Sequence, residues 1–225
     1  MPPAVEPTVG HALAWLAAHA DPSVREQMGP RYGIHTDRAL GVAMKDMKLL
    51  AKELGRDHDL AAALWADGGY EARTVAALVD DPELVTIEQM DRWAADFDNW
   101  AICDTVCFNL FDRAADAWGR VDAWSVDDRE FVRRAAFALI WALALHDRTA
   151  DDGQFEHALG LIEEAATDDR PLVNKAVIMA LRAIAKKRLT VAEATTDVGL
   201  RLAASGDPNA SRAGRAVLKD LGPAV

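Results

Sequence analysis

The sequence is short of the residues that staple, anchor or pleat a chain. It holds two cysteines among 225 residues, Cys103 and Cys107. No disulfide framework supports it, and at 51% hydrophobic content it needs none to bury a sizeable core. The two cysteines stand four apart in an apolar helical pattern, a spacing unlike a zinc quartet and suited to core thiols. No apolar run reaches the ~18 residues that a membrane span requires. The first residues show no basic segment leading into a hydrophobic stretch and cleavage site, so a cytoplasmic protein without membrane contact is expected. Tyrosine occurs twice, at Tyr32 and Tyr70; β-branched runs are missing and alanine and leucine dominate, which predicts helices and almost no strand. The six histidines are dispersed, with neither HExxH nor another ligand spacing, so neither a metal site nor a cofactor is expected. P-loop, Rossmann glycine pattern and nucleophile elbow are all missing, which argues against nucleotide hydrolysis, hydride transfer and serine-esterase chemistry.

Positive charge is also scarce overall. The net charge of −11 runs against nucleic-acid binding, because affinity for a polyanion rests on lysine and arginine displacing counterions. The distribution is uneven, however. Residues 1–169 carry 15 Lys and Arg against 32 Asp and Glu, whereas residues 170–225 carry 10 against 4. A basic surface on an acidic body fits this pattern, and so does a merely uneven solvated surface.

What the chain has in abundance is helical periodicity, broken by Gly, Pro, Asp and Asn. The spacing predicts about a dozen helices, over 8–20, 22–30, 38–54, 57–67, 71–79, 87–96, 99–112, 128–146, 154–166, 171–187, 190–204 and 209–221. In 38–54, Leu40, Met44, Met47, Ala51 and Leu54 mark one buried face. The segment 128–146 is apolar almost all round, with Phe131, Ala135, Phe137, Leu139, Ile140, Trp141, Leu143 and Leu145, as for a helix inside a stack. Helix pairs recur about every 35 to 45 residues without a strict sequence repeat. The expected architecture is all-α: a HEAT-like solenoid, an α-α superhelix of antiparallel helix pairs, forming one domain over 1–225 with a concave ligand-binding face.

Chemistry concentrates in Asp98-Asn99-Trp100-Ala101-Ile102-Cys103-Asp104. Asn99 or Asp98 can cap a helix here, and Trp100 and Asp104, four apart, share a face, so that an indole walls one side of a carboxylate. The competing reading has Asp104 bonded to nearby backbone and Trp100 packed between helices. Two basic stripes keep helical spacing: Lys45, Lys48 and Lys52, and then Lys175, Arg182 and Lys186 with Met179 among them, opposite Val173, Ala176, Val177, Ala180 and Ile184. A stripe of one sign can track phosphates; it can equally be a solvated face. Arg133 and Arg134 lie near the positive end of their helix dipole and call for compensation, by a bound anion or by Asp127, Asp128 and Glu130. Of the seven tryptophans, only Trp100 keeps company with a candidate catalytic carboxylate.

Several segments, in order, resemble the AlkD-like DNA alkylation repair family, the HEAT-like repeat DNA glycosylases. They are Gly41-Val42 with Met47-Lys48-Leu49-Leu50-Ala51-Lys52-Glu53-Leu54-Gly55; Leu64-Trp65 with Tyr70 to Ala76; Asn99 to Asp104; Arg133-Arg134-Ala135-Ala136; and Asn174-Lys175-Ala176 with Leu181-Arg182. Coverage runs from about residue 30 to the C-terminus. The resemblance implies a monomer that grips double-stranded DNA and excises N3- or N7-alkylated purines for base excision repair, without requiring base flipping. It implies Asp104 as catalytic carboxylate, Trp100 as aromatic wall and Arg134 as a phosphate contact. One departure stands out: Met179 occupies the place of a second family tryptophan. The alternatives are a non-catalytic HEAT-repeat binder of damaged or branched DNA, and a helical-repeat scaffold for protein partners.

Overall fold

The computed structural model describes residues 8–222, and within them every regular element is helical. The first helices are α1 Val9–Ala18, α2 Pro22–Tyr32, α3 Met44–Leu54, α4 His58–Asp67 and α5 Tyr70–Val79. They are followed by α6 Ile87–Ala95, α7 Trp100–Asn109, α8 Ala117–Ser125 and α9 Glu130–His146. The last four are α10 Asp152–Ala165, α11 Pro171–Lys187, α12 Ala192–Ala203 and α13 Pro208–Leu221. Short 3₁₀ turns occupy Phe111–Arg113 and Leu189–Val191.

Local chemistry sets many of the boundaries. Asp21, Asp57 and Asp207 cap α2, α4 and α13 by accepting backbone N–H bonds, and Pro22 and Pro208 take first-turn positions where no amide donor is needed. Asp151 and Gln154 form a reciprocal capping box on α10. Two expectations need correcting. The helix drawn over 38–54 begins at Met44, because the amides of Leu40, Gly41 and Val42 are drawn to the Glu71 carboxylate at 2.7 to 3.2 Å, with Gly41 at φ +85°. Its buried face is then Met47, Leu50 and Leu54, while Leu40 and Met44 are both 38% exposed. The helix α8 had no counterpart in the expectation, although Ala117, Val121, Trp124 and Ser125 bury one face at helical spacing; Gly119 and the flanking aspartates disguise it as a loop.

The sequence reading drew one domain, and contacts gather the residues into two compact units. The first comprises 8–86 with 98–115, the second 87–97 with 116–222. In the first, α5 packs against α3, α4 and α7, with α1 laid on α3, α4 and α5. Its core includes Leu16, Met47, Leu50, Leu64, Ile102 and Phe111, and the two thiols of Cys103 and Cys107, fully buried and not joined in a disulfide. Burial and the neighbouring Cys103 push the Cys107 thiol well above its ordinary range, so it stays protonated and acts as packing.

In the second unit α9 packs on α6, α8 and α11, and α13 on α11 and α12. The whole run Ala135–Ile140 of α9 is buried, as an interior helix requires, though Leu145 is 36% exposed. A register invisible as strict sequence identity emerges here. Arg134 donates to the Leu172 carbonyl, Arg212 to Asn174, Arg201 to Glu163 and Arg182 to Asp220, each across 38 residues. The turns before α9 and α11 are also alike. Arg129 folds back on Asp127 through its backbone amide and guanidinium at 2.7 to 2.9 Å, and Arg170 does the same on Asp168 at 2.6 to 3.0 Å. Each of these two repeats begins with the same charged clamp.

Candidate active site

The site is built on α7. Asn99 adopts extended backbone and caps the helix, its side-chain oxygen accepting from Ala101 and Ile102 at 3.1 and 3.0 Å, while its amide nitrogen donates to Asp98 at 2.6 Å. Of the two possible caps, Asn99 fills the role and Asp98 supports it. Trp100 is thus the first helical residue and Asp104 follows one turn later, adjacent on one face. Ile102, Cys103, Val106 and Cys107 anchor the helix in the core.

Trp100 is fixed at both ends. Its indole N–H donates to the Tyr32 carbonyl at 3.0 Å, and its ring packs with Tyr70 on Met28, Ile34, Ala39 and Ala101. Asp104, half-buried, lines a pocket of about 500 Å³ together with Trp100, Tyr32, Tyr70, Met44 and Met47, with Gln27 and Arg31 also in its wall. Arg31 stands 5.2 Å from the centre of the Tyr32 ring. Burial pushes the Tyr70 phenol up to about 12, with the Glu71 charge adding to the effect, so Tyr70 is neutral at any physiological pH.

Glu71, 1% exposed, organises the far wall. Its carboxylate receives the three consecutive amides of Leu40, Gly41 and Val42, and so pins the loop that places Val42 and Ala43 in the pocket lining. Sequence spacing could not assemble Tyr32, Tyr70 and Glu71 with Trp100, since three different helices contribute them. A usable signal did exist, because the only two tyrosines of the chain both line this pocket.

The basic residues have varied settings. Lys45, Lys48 and Lys52 are exposed along α3. The others belong to the second unit. Arg134 is 3% exposed, with one guanidinium nitrogen 2.5 Å from the Leu172 carbonyl, so in this conformation it ties α9 to α11 rather than reaching solvent. Arg133 lies 3.4 Å from Asp168, which also binds Arg170; its compensation therefore comes from the turn before α11, not from Asp127, Asp128 or Glu130. Lys175 is exposed and Met179 half-buried. Val173, Ala176, Val177, Ala180 and Ile184 are buried as expected. Arg182 and Lys186 both pair with Asp220 of α13, at 2.5 and 3.1 Å, and hold its carboxyl down to about 2. Two of the stripe's three cations thus share one carboxylate from a neighbouring helix.

The model of the family described as DNA alkylation repair enzyme matches residues 12–194. The chain belongs to the DNA alkylation repair enzyme family. Its fold is shared with a solved structure described as a new family of proteins related to the HEAT-like repeat DNA glycosylases with affinity for branched DNA structures. The TM-score is 0.78 at 18% identity, over 93% of each chain. At that identity the likeness establishes the all-helical, HEAT-like fold. No curated protein sequence matches the chain.

Proposed function

We propose that this family member is a DNA glycosylase that hydrolyses the N-glycosyl bond of N3- or N7-alkylated purines in duplex DNA, with Asp104 as the catalytic carboxylate. The observation that carries the reading is the pairing of Asp104 with Trp100 on one face of α7, at a pocket that also gathers Tyr32 and Tyr70.

The chemistry needs little more. A purine alkylated at N3 or N7 already carries positive charge, so it departs as a neutral base with the bonding electron pair and requires no strong acid. The sugar left behind has oxocarbenium character. A fixed carboxylate stabilises that charge, and water adds to the anomeric carbon while passing its proton to Asp104. The aromatic faces of Trp100 and the tyrosines add attraction to the developing cation, worth ~0.5–2 kcal/mol depending on desolvation. Met179 has no π face, so the aromatic contribution rests on Trp100, Tyr32 and Tyr70. Exposed Lys45, Lys48 and Lys52 are the readiest phosphate contacts. Arg182 and Lys186 contribute after release from Asp220, and Arg133 after release from Asp168.

A second reading, that the protein binds branched DNA without excision, is favoured by the described affinity of the solved relative. One comparison separates the two. Duplex carrying a single N7-methylguanine and an unmodified four-way junction are each incubated with the protein, and abasic-site formation and mobility shift are measured. Abasic sites in the duplex support the glycosylase; junction retardation with no abasic site in any duplex supports the binder.

A further inference from the structure

We propose that the C-terminal end of α3 is a cradle for one backbone phosphodiester of bound DNA, formed by Lys48, Lys52 and Arg56; the inference rests on the DNA-binding reading above. These three cations line a separate pocket of about 270 Å³, whose remaining walls, Ala51, Gly55 and Leu78, are small or apolar. Gly55 leaves the helix at φ +74°, and nothing lies within 4 Å of where its Cβ would be, so the floor is open. Lys48 and Lys52 are exposed, one turn apart, and point charges so placed reach an anion from one side while the Arg56 fork reaches it from another.

The nearby acids leave this charge standing. Asp81 approaches Arg56 at 3.6 Å, with the two side chains 31% and 59% exposed, a separation and setting in which an ion pair holds weakly. Glu53, beside Lys52 in sequence, turns instead to His11 at 3.6 Å. Compensation of the α3 dipole accounts for one cation in the last turn. It does not account for Lys48, more than a turn earlier, or for three cations around one concavity. The contrast with α11 is direct, since Arg182 and Lys186 share Asp220.

Position supplies the ligand. Met44 and Met47 of α3 line the Asp104 pocket, while Lys48, Ala51, Lys52 and Gly55 continue along the same side to the cradle. Tyr70 and Leu78 border the two pockets from opposite ends of α5, which packs on α3. The two pockets therefore follow one another along α3, an eleven-residue helix about 16 Å long. A strand whose lesion sits at Asp104 and whose backbone runs along α3 brings a phosphodiester to the three cations.

The test is titration of methylated duplex with wild type and with the triple variant Lys48→Ala, Lys52→Ala, Arg56→Ala across a salt series. Unchanged helicity and thermal midpoint certify the fold, and Lys187→Ala serves as a control. The expected result is weaker binding and a slope of log affinity against log salt shallower by about 0.9 for one lost phosphate. Lys52→Arg in an otherwise wild-type chain conserves the charge and keeps the slope. Should wild type bind duplex while the triple variant shows the same affinity and slope, the cradle is overturned and the DNA-binding reading stands. Should wild type bind no duplex at all, that reading falls and the cradle with it. Should inorganic phosphate raise the thermal midpoint of wild type and not of the triple variant while the DNA slopes coincide, the pocket serves a free anion, which also overturns the proposal.

Discussion

At the scale of single residues, the site depends on carboxylates whose surroundings assign them different work. Glu71 is buried and spends its charge on three backbone amides, whereas Asp104 lines an open pocket beside two tyrosines and a tryptophan. Glu71→Gln replaces a charged acceptor with a neutral amide, and a loss of about 1–3 kcal/mol is expected. The urea midpoint measures it, and excision should fall along with the order of the 40–43 loop; an unchanged midpoint would remove Glu71 from its organising role. Arg134→Ala removes a buried donor to Leu172, and a comparable loss of stability is expected. A variant that left the midpoint unmoved while lowering the salt slope of DNA binding would return Arg134 to the phosphate-contact role that the family resemblance implies. The Trp100–Asp104 pair was legible in the sequence because helical spacing alone makes i and i+4 neighbours. Tyr32, Tyr70 and Glu71 were not, since tertiary packing brings them in from other helices. Nor was the burial of Arg134, because spacing fixes a helix face and says nothing of what covers it.

At the scale of elements, loops and inter-helix pairs decide what periodicity leaves open. The late start of α3 follows from the Gly41 turn, where an added Cβ would strike the Asp21 carbonyl and lie 2.7 Å from the Arg25 nitrogen. Gly41→Ala is therefore expected to cost more than about 1 kcal/mol, read as a fall in the denaturation midpoint, and a neutral result would contradict the tight seat of this loop on α2. The α11–α13 contact carries a pH signature. Asp220 is held at about 2 by Arg182 and Lys186, below its ordinary 3.8. A depressed carboxyl stabilises the fold in full above its unfolded value, and that contribution drains away as the pH falls from about 3.8 to about 2. The stability gap between wild type and Asp220→Asn should close over that window, and a gap that persists to its acid end would rule out the linkage. The same variant releases Arg182 and Lys186, so tighter DNA binding at low salt is expected from it. Helices with uninterrupted apolar faces, α9 and α11, were readable from spacing; α8, shortened and interrupted by Gly119, was hidden by residues that usually mark turns.

At the scale of the whole molecule, an acidic chain of net charge −11 belongs to a family that repairs DNA. Its cations are sorted by setting: those on α3 stay open to solvent, while several of the later ones are engaged by aspartates and carbonyls across the 38-residue register. The all-helical, HEAT-like character was legible because helix pairs recur at near-constant length. The internal repeat itself was not, since it lies in the bonds between helices and in the Asp127–Arg129 and Asp168–Arg170 clamps more than in residue identity. The most direct measurement is single-turnover release of methylated purine from alkylated duplex DNA by wild type and by Asp104→Asn, with binding followed in parallel. Release by wild type and none by Asp104→Asn at unchanged affinity is the expected result, because the substitution removes only transition-state stabilisation. Equal release by both proteins, or none by either, would contradict a glycosylase working through Asp104.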